Sequence, residues 1–106
     1  SSYGLLYLNY ELALRGFQTI YLGQSLPLNN LKYFFDSEKD VCFVNSMTVK
    51  PYDEKLQGYF EEVDSVLNST NHTFVSLGHK AMSVDLSSFK SNIRSFPSVI
   101  KFLDQI

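Results

Sequence analysis

Few side chains in this 106-residue chain are of types that do acid–base, nucleophilic or metal chemistry, and their spacing limits what they can do. There are two histidines, His72 and His79, and one cysteine, Cys42. A zinc site needs three or four ligands, and neither histidine has a Cys or second His at suitable spacing. Cys42 lies inside the apolar run Val41-Cys42-Phe43-Val44. That makes it a core thiol, since a reactive thiolate needs exposure and a positive neighbour. Lys80 could meet a phosphate, but the single glycine ahead of it is not a G-x-x-x-x-G-K loop. Glu61, Glu62 and Asp64 read as a solvated acidic face, and His72 beside Asn71 reads as a surface turn. What remains is binding chemistry, in three polar segments: Gly23-Gln24-Ser25, Asn45-Ser46-Met47-Thr48 and Gly78-His79-Lys80. Hydroxyls, amides and glycines of this kind hold a ligand, but no general acid or base accompanies them.

These segments are positioned by the elements before them. Residues 3–14 are almost wholly apolar, with five leucines interleaved with Tyr3, Tyr7 and Tyr10. Helix-forming residues over nearly four turns predict a helix, and its wide apolar surface predicts heavy burial. Gly16 suits the left-handed position past its end. Strands are expected over residues 19–22, 41–44 and 73–77, with a weaker edge strand over 92–96. The second is apolar on both faces, as a central parallel strand is. Pro27 opens a helix over 28–35 with Leu28, Leu31, Phe34 and Phe35 inward. Residues 53–68 give the clearest helix, with Leu56, Tyr59, Phe60, Val63 and Leu67 on one stripe. Residues 81–90 are expected to hold a loop and a short helix. Pro97 opens a last helix that turns Val99, Ile100, Phe102, Leu103 and Ile106 inward.

Alternating helices and strands of this length predict right-handed βαβ units and a parallel sheet, a flavodoxin-like (Rossmann-like) three-layer α/β fold. Ligands of such sheets bind beyond the carboxyl ends of the strands, where the three polar segments fall. The alternation begins with a helix, whereas the flavodoxin-like order 2-1-3-4-5 places its first strand between the second and third. A gap there would bury unpaired backbone groups at about 1–3 kcal/mol each. The expectation is a fragment whose first strand lies ahead of Ser1. The alternatives are direct pairing of strands 19–22 and 41–44, or a symmetry partner filling the space.

The length fits one domain, residues 1–106. A formal charge of −2 with nine scattered cations excludes a polyphosphate-gripping surface. One cysteine, no apolar run near 20 residues and no secretory start point to a soluble cytoplasmic protein without membrane contact. The sequons Asn68-Ser69-Thr70 and Asn71-His72-Thr73 are then chance matches. A phosphoacceptor receiver domain shares the fold, but its aspartate would fall at Asn45-Ser46, where there is no carboxylate.

The run from Gly4 to Leu31, GLLYLNYELALRGFQTIYLGQSLPLNNL, resembles the cobalamin-binding domain of bacterial MerR-type transcription regulators. There a long apolar helix ends in Arg-Gly, here Arg15-Gly16. A strand ends in Leu-Gly, here Leu22-Gly23, and a Pro-Leu-x-x-Leu start follows, here Pro27 to Leu31. The resemblance implies a D-x-H-x-x-G loop, a S-x-L or S-x-T element and a Gly-Gly pair around a corrinoid. Ser46-Met47-Thr48 fits the second, and Gly78-His79 keeps one glycine of the third. The axial histidine's place falls on Ser1, so cobalt ligation by histidine is not expected. A corrinoid nucleotide tail would lie between the sheet and the first helix, against Ser46, Thr48 and Gly78, with His79 crowding the channel mouth.

The resemblance implies a non-enzymatic sensor domain of a regulator, with cobalamin binding lost, self-association retained and DNA contacted through a separate domain. The alternative is a corrinoid-binding carrier subunit of a cobalamin-dependent methyltransferase or mutase.

Overall fold

The structure, a computed structural model, describes residues 2–24 and 26–106. Helix α1 spans Ser2–Leu14 and ends where Arg15 and Gly16 donate their N–H groups to Leu12 and Ala13. Gly16 sits at φ +88°, the left-handed region that a side chain resists. Strand β1 (Phe17–Tyr21) follows, then a 3₁₀ helix over Leu28–Phe34 and strand β2 (Asp40–Ser46). A 3₁₀ turn at Asp53–Lys55 leads into helix α2 (Leu56–Leu67), and strand β3 covers Thr73–Leu77. A 3₁₀ helix at His79–Ser83, strand β4 (Asn92–Phe96) and helix α3 (Val99–Leu103) complete the described chain. Ser98 caps α3, accepting from the Lys101 N–H at 3.2 Å.

The four strands form one parallel sheet in the order β1-β2-β3-β4. Phe17 to Tyr21 lie opposite Asp40 to Val44, and the Leu22 N–H extends that ladder to the Val44 carbonyl at 2.9 Å. The strands expected to flank a gap therefore pair directly. Among the described residues nothing lies between them, and no backbone row is left open inside the sheet.

Helices cover both faces. On one, Leu28 and Leu31 join Leu56, Phe60, Val63 and Leu67 of α2 over Val41, Phe43, Phe74 and Ile93. On the other, Leu8 and Leu12 of α1 and Phe102 of α3 cover Cys42, Val44, Val75, Leu77 and Phe96. β2 is thus buried on both sides, as its run of apolar residues requires. This is the three-layer arrangement of flavodoxin-like domains.

Four expectations about packing are corrected. Residues 28–34 wind as 3₁₀ rather than α-helix, because Leu28 and Leu31, three apart, eclipse on the side that meets the sheet. Phe34, three further on, stays 40% exposed at the rim. In α1 only Leu8 and Leu12 are fully inward, while Tyr3, Leu6, Tyr7, Tyr10 and Leu14 face outward, each more than half exposed. In α3, a helix of five residues, Ile100 points out where it was expected inside.

His72 is the fourth: it is buried. Its Nδ1 accepts the Val41 N–H at 2.9 Å, and its ring stacks on Phe35 at 4.8 Å between centroids. Asp64 is also more than a solvated acid, since its Oδ1 accepts the N–H groups of Lys90 and Ser91 at 3.1 and 2.8 Å.

Candidate functional site

The carboxyl edge of the sheet is built by β2 and β3 running one residue past each other. Ser46 lies opposite Leu77, and the Met47 N–H donates to the Leu77 carbonyl at 2.8 Å. Gly78 follows at φ +119°, its N–H donating to Phe96 at 2.9 Å. A β-carbon on Gly78 would run into the Met47 carbonyl oxygen. Ser46 and Gly78 are therefore close neighbours on a parallel edge, and glycine is required there by the backbone itself.

The other sequence-derived candidates disperse. Thr48 lines an open depression of about 430 Å³ with Tyr52, Asp53, Glu54 and Lys80. Lys80 is held there in an ion pair with Asp53 at 2.5 Å, so a bound phosphate would have to compete with that carboxylate. His79 is exposed at the start of its 3₁₀ helix and borders neither this depression nor the cavity described next. Ser25, in the first polar segment, and Ser1, at the axial-ligand place, lie outside the described residues.

The residues do not fit a corrinoid tail between α1 and the sheet. That space holds Leu8, Leu12, Cys42, Val44, Val75 and Leu77, each at most 4% exposed and packed in one apolar cluster. A cavity of about 220 Å³ on this face lies at the amino ends of the strands, beside Arg15, Thr73, Asn92 and Ile106, the wrong end for an edge-bound ligand.

A better-formed cavity, about 290 Å³, opens on the opposite face, between the carboxyl ends of β1 and β2 and the start of α2. Leu22, Gly23 and Gln24 come from β1's exit, Asn45 and Ser46 from β2, and Lys50, Pro51, Tyr52, Lys55 and Tyr59 from the segment entering α2. On its floor the Asn45 Nδ2 donates to the Tyr59 hydroxyl at 3.0 Å. The Asn45 Oδ1 is buried with no partner, as is the Oγ of Ser76, which stands opposite Asn45 on β3. Burial pushes the Tyr59 hydroxyl up to about 12, against the bond from Asn45, with a smaller upward push from Glu62. It remains a neutral O–H donor at physiological pH.

Of the cavity residues, the sequence reading singled out Gly23, Gln24, Asn45 and Ser46 within its polar segments. Lys50, Tyr52 and Lys55 were missed, and Tyr59 was read as core. One signal was available: a tyrosine on an apolar helical stripe carries a polar tip that needs a partner. The fold and this edge define a class, a parallel three-layer α/β domain with polar side chains gathered at its carboxyl edge. No family model, curated protein or solved structure matches the chain.

Proposed function

We propose that this chain is the regulatory module of a cytoplasmic MerR-type transcription regulator, cobalamin-binding-like in fold, which acts by self-association. DNA is then contacted through a segment outside these residues, and no catalytic step is assigned to the module.

The observation that carries this reading is the outer surface of α1. At 100° per residue, Ala13, Leu6, Tyr10, Tyr3, Leu14 and Tyr7 fill an arc of about 120° opposite Leu8 and Leu12. No charge interrupts it. Glu11 and Arg15 sit on the flank, joined at 2.7 Å, so two copies of the helix meet without like-charge repulsion. A helix that is apolar all round is normally covered.

Tyr3, Leu6, Tyr7, Tyr10 and Leu14 are 83, 66, 56, 60 and 64% exposed. At about 200 Å² per side chain they offer roughly 650 Å² per copy. A standard interface takes about 800 Å² from each partner. A second copy, docked antiparallel along α1, is the occupant of matching size and chemistry.

Sedimentation equilibrium of the 106-residue chain tests this. Wild type is expected to be dimeric at about 50 μM, and Leu6→Lys/Tyr10→Lys to be monomeric with an unchanged far-UV circular dichroism spectrum. A wild-type monomer at about 200 μM refutes the reading. Hydroxocobalamin is expected not to comigrate with the protein. A comigrating, shifted corrin band would restore the cofactor and favour the corrinoid-carrier alternative. A winged-helix segment encoded ahead of Ser1 would support the regulator, and a mutase or helical-bundle segment the carrier.

A further inference from the structure

We infer that the cavity between β1, β2 and the start of α2 is a binding site for a small ligand made of a planar ring bearing one anionic group. It lies on the face of the sheet opposite α1, so it stands independently of the self-association reading.

Size sets the first limit. About 290 Å³ falls at the small end of ligand pockets, which run from about 300 to 1,000 Å³. One ring with one charged substituent fits, and a corrin does not.

Charge sets the second. Lys50 and Lys55 both line the cavity. The ion pairs among the described residues join Arg15 to Glu11 and Lys80 to Asp53, which leaves both of these ammonium groups available. The carboxylates of Glu54 and Glu62 line an adjoining depression behind Lys55 rather than the cavity itself. Lysine serves a carboxylate or a phosphate as a point charge.

The floor sets the third. Tyr52 and Tyr59 both line the cavity, which gives a planar guest aromatic surface to pack against. The Tyr59 hydroxyl already accepts a hydrogen bond from Asn45, so its own proton points elsewhere and can be donated. Asn45 Oδ1, and Ser76 Oγ behind it at 0% exposure, are polar atoms with no partner in the protein. Both lie beneath the cavity surface and add to the polarity of its floor, so the donor that a ligand acceptor meets there is the Tyr59 hydroxyl. Gly23 has open space where a β-carbon would stand, so the ligand can approach the backbone at β1's exit.

The test is ¹⁵N-correlated NMR of the chain titrated with 4-hydroxybenzoate and, separately, with 4-hydroxyphenyl phosphate. The two arms distinguish a carboxylate source from a phosphate source. A saturable shift centred on Gly23, the Asn45 side-chain amide and Tyr59 is expected with at least one probe, at sub-millimolar affinity. Phenol and hydroquinone, the uncharged counterparts, are expected to bind about tenfold or more weakly.

Lys50→Ala/Lys55→Ala, at exposed positions that leave the fold intact, is expected to weaken binding by at least about tenfold. The Leu6→Lys/Tyr10→Lys monomer is expected to bind as wild type does. No saturable shift with either probe at about 5 mM, or a lysine double variant within about twofold of wild type, overturns the inference.

Discussion

Replacing His72 separates two contributions that the structure superimposes on one ring. The side chain is 7% exposed, its Nδ1 takes the N–H of Val41, itself fully buried, and its plane lies 27° from that of Phe35. His72→Phe keeps volume and stacking but leaves the Val41 N–H without an acceptor inside the protein, a loss of about 1–3 kcal/mol. His72→Asn places an amide oxygen near the Nδ1 position, keeping the acceptor and giving up the ring contact, about 0.5–1.5 kcal/mol. His72→Ala loses both and leaves a void, so about 3–4 kcal/mol is expected. That is a large share of the roughly 5–15 kcal/mol that holds a domain of this size. At about 4–8 °C per kcal/mol, the alanine variant should melt roughly 12–30 °C lower. Urea unfolding followed by far-UV circular dichroism gives the three values, with an unchanged m expected throughout. If His72→Phe is as stable as wild type to within about 0.5 kcal/mol, the bond to Val41 contributes nothing and the account fails.

Gly78→Ala forces a β-carbon against the Met47 carbonyl at a backbone angle reserved for glycine. It should cost at least about 2–3 kcal/mol in the same assay, even though no ligand is present. Cys42 is raised by burial from 9.0 to about 12, so it stays protonated in the folded state while the unfolded thiol ionises. Its contribution is complete below pH 9 and is lost as pH rises from about 9 towards 12, so Cys42→Ala should flatten stability over that window. The native thiol should react with Ellman's reagent only at the rate of unfolding. Tyr21→Phe removes the 2.8 Å bond from its hydroxyl to the Leu5 carbonyl. The expected cost is about 0.5–1 kcal/mol, read as faster hydrogen exchange in the first turns of α1.

How much of this could be read from the sequence depends on whether the deciding interaction is local. β3 and β4 begin and end where the sequence puts them: β3 is a short run rich in apolar and β-branched residues that ends at Gly78, and in the more polar β4 Ile93 and Phe96 sit ahead of the turn at Pro97. Thr19 to Tyr21 were found, but Phe17 and Gln18 were not, since only the partner Asp40-Val41 draws them into the ladder.

The outward face of α1 was misjudged because periodicity cannot distinguish two apolar arcs on one helix. Leu8 and Leu12 won the sheet and five other large side chains did not. His72 was misread for a related reason: a histidine in a turn looks solvated until β2 presents an N–H with no strand acceptor.

The site divides in the same way. Ser46 and Gly78 come together because parallel register carries them there. Lys50, Lys55 and Tyr59 converge on Asn45 only when the chain folds back from β2 into α2, which no local pattern encodes.

β2 is where the two surfaces share structure. Its odd-numbered residues, Val41, Phe43 and Asn45, face the layer that holds the cavity, and its even-numbered Cys42 and Val44 face α1. A strand laddered on both sides transmits little by itself, because shifting it breaks bonds to β1 and β3 together. Tyr21 offers a looser connection. It is the last residue of β1, immediately before the cavity's Leu22 and Gly23, and its hydroxyl holds the backbone of α1 at Leu5. That is one exposed hydrogen bond, too little to couple the two faces, so the proposed ligand is expected to bind the proposed dimer and the monomeric Leu6→Lys/Tyr10→Lys variant alike.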